Sequence, residues 1–363
     1  MVCKVTQTNT KTPKKNIEKS SKLMDKMLKP DKKKDPPKFI PLEFINRSTS
    51  DDSKSVDVGY LQSLPEFRDA VFQVASNFNV VEGMSEFLPP NFKSFTENYY
   101  KDRTQGPAAS ISAGPAAIVR VHAPFYSPDT PPDKWNQDES HQVELLKNLE
   151  EYYPVHNGYV LYENGILSEG YKKFPEYQSK GYHKLLVTGF VGFHSSVQVT
   201  TGLRYYPNGE KRPKKRSADD EEEDEPDDSL LQIQKDPKQV VHQVFTAATN
   251  LNQGRSGPRN KNSPNSATKG KMVLDLGYQG TYLAALAAEK KILVLTLIGG
   301  GAFGNEKEWI YQSIVNAHQK WGVAGKSLQK VYLILWDYNE QPKELEQSLK
   351  QLGVQVTWKN PRG

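Results

Sequence analysis

The segment Lys291–Trp309, with the sequence KILVLTLIGGGAFGNEKEW, constrains the fold of this chain more than any other segment. Ile292–Leu297 is an uninterrupted apolar and β-branched run, which indicates a strand buried on both faces. Glycines follow it, and a helical pattern begins after Asn305. Such a strand, turn and helix N-terminus can present unpaired backbone N–H groups to an anion. The segment predicts either a phosphate-binding loop or a tight βα turn that binds nothing.

The glycine spacing by itself does not identify a dinucleotide-binding domain. Gly299, Gly301 and Gly304 match the GxGxxG pattern, but that unit usually opens its domain. Here it lies near the end of the chain, with one further strand–helix pair after it.

Charge is distributed unevenly along the 363 residues. Residues 1–38 carry twelve Lys and four acids, a net charge of +8, whereas the whole chain carries +5. The rest of the chain is therefore mildly acidic, so a basic nucleic-acid-binding fold is not supported, although a basic arm remains an alternative. The mean hydropathy of −0.70 is low for a chain that is globular throughout, which indicates disordered segments.

We predict a disordered Lys-rich tail over residues 1–38 and one domain over residues 39–363. A disordered charged loop at about 208–230 and a polar loop at about 251–270 are expected to interrupt this domain. Alternating apolar strands and helices predict a three-layer α/β/α fold with a mixed, mostly parallel central sheet. Within it we expect a short strand at Asp57–Tyr60, a helix at His141–Tyr153 and a strand at Lys184–Phe193.

Cysteine content and hydropathy predict a soluble, intracellular protein of the nucleus or cytoplasm. Cys3 is the one cysteine, which excludes a disulfide framework and a Cys-based metal site. No apolar run reaches the length of a membrane span. The KRPKKR sequence at Lys211–Arg216 is either a nuclear localisation signal or part of a solvated insertion, since nine acids follow within Asp219–Asp228.

Three segments together resemble the macrodomain family, whose members bind ADP-ribose in a cleft at the ends of the sheet strands. The late segment Gly299-x-Gly301-x-Phe303-Gly304 resembles the family's Gly-x-Gly-x-Phe-Gly. The strand that ends in Ser76-Asn77-Phe78-Asn79 resembles its Asn-Ala-Ala-Asn, and Asp57-Val58 resembles part of its Gly-Asp-Ile-Thr. The resemblance spans roughly Phe39–Trp358 with a large middle insertion, and it implies a divergent macrodomain-like member.

The resemblance implies a ligand site that needs no metal or cofactor. Asp57 and Val58 would bind adenine, with Asp337 or Tyr338 beside it. Asn77, Asn79 and Phe303 would contact the distal ribose. The implied diphosphate-binding residues are Gly299, Gly300, Gly301, Ala302, Phe303, Gly304 and Asn305.

The family usually follows its asparagine loop with a glycine-rich segment, which this chain lacks at that place. Thr104–Ser110, TQGPAAS, takes that position, and Gly106 would present backbone N–H groups to an anion. The alternative interpretation is a helix of small residues that only packs.

An ADP-ribosyl hydrolase activity is a candidate that the sequence does not decide. The acids considered for it are Glu82, Asp102, Glu306 and Glu308, of which the last two are better explained as complementing a helix dipole. His194 and His242 lie in apolar strands and are interpreted as satisfied core or rim histidines rather than catalysts.

Three functions therefore remain open. The favoured one is an ADP-ribose or related nucleotide-binding module, whose partner is ADP-ribose or an ADP-ribosylated protein. The second is a module that binds nucleic acid or another phosphorylated, acidic partner through the basic N-terminal arm. The third is a non-catalytic scaffold whose acidic loop recruits basic partners.

Overall fold

A mixed β-sheet between two layers of helices forms the core of the protein. The computed structural model describes residues 2–4, 37–46, 58–83, 86–90, 105–161, 174–204, 231–252, 264–335 and 341–359. Its strands are β1 Val2–Lys4, β2 Leu42–Asn46, β3 Val71–Ala75, β4 Val155–His156, β5 Tyr159–Val160, β6 Val191–Gln198, β7 Thr201–Arg204, β8 Leu231–Ile233, β9 Val240–Thr246, β10 Ile292–Thr296, β11 Lys330–Leu335 and β12 Val356–Lys359.

Helices connect most of these strands. They are α1 Val58–Ser63, α2 Gln105–Ser112, α3 Gly114–His122, α4 Lys180–Leu186, α5 Pro264–Ala287, α6 Lys307–Trp321 and α7 Lys343–Gln351. Short 3-10 turns lie at Pro65–Phe67, Pro132–Lys134 and Lys147–Leu149.

Eight of the strands in the described ranges form the central sheet, in the order β1–β6–β9–β3–β10–β11–β2–β12. All neighbouring pairs are parallel except β6 and β9, which are antiparallel. The pairs β4–β5 and β7–β8 form two small antiparallel sheets. The predicted α/β/α architecture with a mixed, mostly parallel sheet is confirmed.

The two faces of the sheet carry two separate cores, because successive strand residues point to opposite faces. On β3, Phe72 and Val74 pack in the cluster that includes residues of α1, α2 and α3. Val71 packs in the cluster that includes residues of α5, α6 and α7. The helices that follow β3 and β10 therefore lie on opposite faces of the sheet.

The N-terminus differs from its prediction at three residues. Val2–Lys4 forms β1, whose residues pair in parallel with β6, Val2 opposite Val191. An edge strand offers a row of unpaired backbone groups to any extended segment that reaches it, even one with a Lys-rich sequence. The remainder of the predicted tail, residues 5–36, and the predicted charged loop, within 205–230, lie outside the described residues.

Two of the expected strands are wrong, since each is wholly or partly helical. The predicted strand Asp57–Tyr60 is instead the start of helix α1 at Val58. The predicted strand Lys184–Phe193 is helix α4 followed by β6, and the Ser179 side chain caps α4 by accepting a hydrogen bond from the Tyr182 amide. The predicted polar loop ends early, since α5 begins at Pro264.

The predicted helix His141–Tyr153 is mostly irregular. Its backbone amides bond to distant groups: Val143 donates to the Gln137 side chain at 2.8 Å, and Leu145 donates to the Phe78 carbonyl at 3.0 Å. Because these tertiary acceptors replace the acceptors of a helix, only the turn Lys147–Leu149 forms. Among the described residues, no helix combines the length and apolar character that crossing a bilayer requires.

Candidate functional site

The order in which the chain adds strands to the sheet reverses at two adjacent parallel strands, β3 and β10. From β3 the chain runs through α2 and α3 towards β6 and β9, on one side of the sheet. From β10 it runs through α6 to β11, on the other side. The loops after the two strands leave in opposite directions, and ligands of open α/β sheets usually bind at the carboxyl ends of the strands at such a point. The predicted Asn77–Asn79 loop and the glycine loop thus meet at one edge.

The glycine loop, residues 297–305, is a tight turn held by its own backbone and by Asn305. Gly299 and Gly304 have φ angles of +76° and +60°, a region that residues with a Cβ adopt at a cost. The Asn305 side chain is buried and donates to the Thr249 carbonyl at 2.9 Å. Asn305 is therefore a structural residue of the loop rather than a residue that faces a ligand.

Three consecutive amides of this loop point to an anion site. The amides of Gly300, Gly304 and Asn305 donate within the loop. Among the described residues, by contrast, the amides of Gly301, Ala302 and Phe303 have no acceptor. Gly301 and Ala302 are exposed, so these donors are open to a ligand at the start of α6.

A neighbouring loop after β9 supports the glycine loop from the side, and sequence reasoning missed it. The Leu251 amide donates to the Phe303 carbonyl at 2.8 Å. The Asn252 side chain donates to the Ala302 carbonyl, and a Cβ on Gly304 would lie 2.2 Å from the Asn252 Oδ1 atom. No local sequence pattern predicts the role of Leu251 and Asn252, because their loop lies beside the glycine loop only when β9, β3 and β10 are neighbours in the sheet.

Asn77 and Asn79, which the family resemblance assigns to the distal ribose, are each 3% exposed. The Asn77 amide donates to the Gly83 carbonyl at 3.2 Å, and the Asn79 amide donates to the Gln142 side chain at 3.1 Å. Gly158 covers both, since a Cβ there would lie 2.7 Å from each side chain. Both asparagines therefore shape the loop after β3.

The same loop contains a strained residue. Val80 has a φ of +62°, which is an outlier for a β-branched residue and costs of order 1–3 kcal/mol. The buried Arg120 guanidinium donates to its carbonyl at 3.2 Å. Gly192 allows the close approach of the Val80 side chain, which would lie 2.5 Å from a Cβ at that position.

Gly106 lies in the first turn of α2 and packs directly on the end of β3. A Cβ at Gly106 would lie 2.4 Å from the Ala75 carbonyl oxygen and 2.9 Å from the Glu82 Oε2 atom. Whether Gly106 also presents its amide to an anion stays a prediction. Close packing against the Ala75 carbonyl already requires glycine at this position, because a backbone carbonyl cannot move aside as a flexible side chain can.

We expect Gly106→Ala to lower the free energy of unfolding by roughly 2 kcal/mol, the range seen for overpacked sites. Urea denaturation would measure this change. Gly301→Ala is the matched control, because no atom lies within 4 Å of a Cβ at Gly301 and its stability should stay within about 0.5 kcal/mol. Equal stabilities for the two variants would contradict the tight packing of Gly106.

Tyr159 contacts both the loop after β3 and the glycine loop. The Tyr159 hydroxyl donates to the Gly83 carbonyl at 2.6 Å, and its ring centroid lies 5.9 Å from that of Phe303. Burial raises the pKa of Tyr159, and the negative charge of Glu82 raises it further. The contact of Tyr159 with the glycine loop is a tertiary feature that no local sequence pattern marks.

The remaining predicted site residues are not all found in the candidate site. Asp57, Asp102, Asp337 and Tyr338 lie outside the described residues. Val58, the first residue of α1, is buried in the core, so its side chain does not face a ligand. Glu306 and Glu308 are exposed at the start of α6, in the position that complements the helix dipole.

His194 and His242 are both buried, as expected of core histidines. His242 accepts a hydrogen bond from the Ser196 amide at 3.1 Å and pairs with Asp69 at 2.8 Å. His194 differs from its prediction, since neither ring nitrogen has a partner among the described residues. Burial lowers the pKa of His194 to about 3, and the positive charge of Arg120 contributes.

The described residues contain no group of three or more His, Cys, Asp or Glu side chains that could hold a metal ion. A comparison of the chain with protein-family models found no match, and a comparison with curated proteins found none either. The arrangement of residues is therefore the only guide to function.

Proposed function

We propose that the chain binds ADP-ribose or a related ADP-containing nucleotide in the crevice between β3 and β10. The observation that carries the proposal is the set of three amides, at Gly301, Ala302 and Phe303, that have no acceptor among the described residues. A pyrophosphate is recognised by such amides together with the positive end of a helix dipole. The location at the reversal of the chain supports the same proposal.

An aromatic side chain beside these amides favours a nucleotide over a bare phosphate. Phe303 offers partly exposed ring surface next to the exposed tip of the loop, and the buried Tyr159 ring lies behind it, with 5.9 Å between the two ring centroids. Ligand sites typically combine such apolar surface with a few placed polar donors. The adenine side of the predicted site, at Asp57, Asp337 and Tyr338, remains part of the proposal.

Calorimetry of the full chain with ADP-ribose, AMP and NAD tests the proposal, and we expect micromolar binding of ADP-ribose. The full chain is used because β1 belongs to the sheet. If none of the three ligands gives heat, the glycine loop is only a turn. Salt-dependent binding of a polyanion through the basic arm would then become the leading alternative.

Gly301→Glu should weaken ADP-ribose binding about 100-fold or more, because a carboxylate about 4 Å from a phosphate is strongly repelled. The side chain enters open space, so the melting temperature should not change. Gly301→Ala, which adds no charge, should keep the affinity within about threefold. Unchanged affinity in Gly301→Glu would show that the loop does not bind the pyrophosphate.

A further inference from the structure

The surface between α5 and α6 contains a pocket that shares no lining residue with the glycine loop or with the loop after β3. Its cavity volume is about 360 Å³, within the range of sites that hold small molecules. Tyr177 and Gln178 line it from the turn before α4, and Lys271 lines it from α5. Glu308 and Trp309 line it from the first turn of α6. We call it the α5–α6 pocket.

Two aromatic side chains position the ammonium group of Lys271 in this pocket. The Lys271 Nζ atom lies 5.0 Å from the centroid of the Tyr177 ring and 5.2 Å from that of the Trp309 ring. At such distances a cation is attracted to the face of an aromatic ring. Both rings are half-buried, so part of their surface is open to a ligand. The pocket therefore offers a cation that is positioned in advance, beside accessible apolar surface.

The two charged side chains that line the pocket have opposite signs and do not pair. Among the described residues, neither the Lys271 ammonium nor the Glu308 carboxylate has an ion-pair partner. Lys271 is half-buried and Glu308 is exposed at the rim. Such a pocket is electrostatically complementary to a ligand that carries both a negative and a positive charge.

The neutral polar groups of the pocket hold one of its aromatic walls in place. The Asn316 side chain donates to the Tyr177 hydroxyl at 3.5 Å and accepts a hydrogen bond from the Gln312 amide at 2.9 Å. These contacts orient the Tyr177 ring towards Lys271 before any ligand arrives.

A further carboxyl group, that of Asp275, lies close by but does not line the pocket. Asp275 is fully buried, and its carboxylate accepts hydrogen bonds from the Tyr182 hydroxyl at 2.7 Å and from the Gln178 amide at 3.5 Å. Burial raises the pKa of Asp275, which reduces its negative charge. Lys271 and Glu308 are therefore the charges that a ligand in the pocket meets.

We propose that the α5–α6 pocket binds a small zwitterion, a free α-amino acid with an aromatic side chain. The carboxylate of the amino acid pairs with Lys271, and its ammonium group pairs with Glu308. Its ring packs against the exposed surface of Tyr177 and Trp309, as aromatic pairs do. Glu308 repels a ligand that carries only negative charge, such as inorganic phosphate. The proposal does not rest on nucleotide binding, because it uses no group of the glycine loop.

Three probes titrated into the wild-type chain test the need for both charges. They are L-phenylalanine, its N-acetyl derivative, which lacks the ammonium group, and its amide, which lacks the carboxylate. In titrations followed by nuclear magnetic resonance, L-phenylalanine should bind with a Kd of about 1 mM or tighter, and each derivative about threefold or more weakly. A derivative that binds as tightly as L-phenylalanine overturns the proposal. Absence of L-phenylalanine binding up to about 10 mM overturns it too.

Two variants assign the two charges. Glu308→Gln should weaken L-phenylalanine binding about threefold, as expected for an exposed ion pair, and leave binding of the N-acetyl derivative unchanged. Lys271→Met should weaken L-phenylalanine binding about tenfold and binding of the amide by about threefold or less. If the derivative loses as much affinity as L-phenylalanine in either variant, the side chain acts through packing and the assignment of its charge is wrong.

Glu344→Gln is the matched control for Glu308→Gln, because Glu344 is likewise exposed in the first turn of a helix, α7, and lies outside the pocket. It should leave the affinity for L-phenylalanine unchanged, and a loss equal to that of Glu308→Gln overturns the proposal. The comparison of probes on the wild-type chain needs no variant, so the proposal stays testable if Lys271→Met does not fold.

Gly301→Glu separates this proposal from nucleotide binding. The variant should bind L-phenylalanine with an affinity within about twofold of the wild type, whatever its affinity for ADP-ribose. A large loss of L-phenylalanine binding would place the probe at the glycine loop and overturn the assignment to the α5–α6 pocket. Failure of the wild-type chain to bind ADP-ribose would contradict the proposed function alone.

Discussion

Arg120→Met is expected to lower the free energy of unfolding by about 4 kcal/mol, within the range found when a buried charged network is broken. Arg120 is 1% exposed, and its guanidinium lies 4.0 Å from the centroid of the Phe245 ring. It donates to the Val80 carbonyl and to the Ser110 hydroxyl at 3.2 and 3.0 Å. Methionine fills a similar volume but leaves these buried acceptors without their donor.

Urea denaturation at neutral pH measures the effect, with Arg68→Met as the control. Arg68 is about 40% exposed and pairs with Asp236 at the surface, so its replacement should cost about 1 kcal/mol or less. ADP-ribose affinity should also fall in Arg120→Met, because Val80 belongs to the loop that borders the crevice. A loss of stability no larger than that of Arg68→Met would show that the network around Arg120 does not hold this loop.

His194 is expected to make the protein sensitive to mild acid. Burial lowers the pKa of the folded-state imidazole from 6.5 to about 3. Between these values the unfolded chain binds a proton that the folded chain does not bind, so stability falls as the pH falls through this window. From pH 7 to pH 4.5, this group alone should remove about 3 kcal/mol.

Comparison of His194→Leu with the wild type isolates this contribution from that of the other ionisable groups. Urea unfolding is measured at pH 7 and pH 4.5, and the variant should lose about 3 kcal/mol less stability between them. His122→Leu, which removes an imidazole at an exposed position, serves as the control variant. Parallel pH profiles for His194→Leu and the wild type would contradict the burial of an uncharged imidazole.

The elements with strong hydrophobic patterns were predicted well, because the apolar residues that cause their burial are neighbours in the sequence. The apolar run Ile292–Leu297 forms β10, and the helical pattern after Asn305 forms α6, Lys307–Trp321. The errors occurred where another interaction outweighed the pattern. Ser179 caps a helix that overlaps the start of the predicted strand Lys184–Phe193. Between His141 and Tyr153, backbone amides donate to acceptors outside the segment instead of to the carbonyls of a helix.

The candidate site likewise combines features that the local sequence predicts with features that only distant contacts determine. Gly299 to Gly304 was predicted as a tight turn between a strand and a helix, with or without a bound anion, because glycine has no Cβ, a property that does not depend on the fold. The engagement of Asn77 and Asn79 by Gly83, Gln142 and Gly158 was not predictable, since these partners come from other parts of the chain.

The sequence by itself determined the α/β class, the buried strands and the strand–glycine turn–helix unit, because each depends on residues close together in the chain. Only the tertiary structure decided that β3 and β10 are neighbours and that their following helices lie on opposite faces. It also decided that Tyr159 lies between the Gly83 carbonyl and the Phe303 ring. Long-range pairing and packing set these positions, and no local pattern encodes which distant segment a side chain will contact.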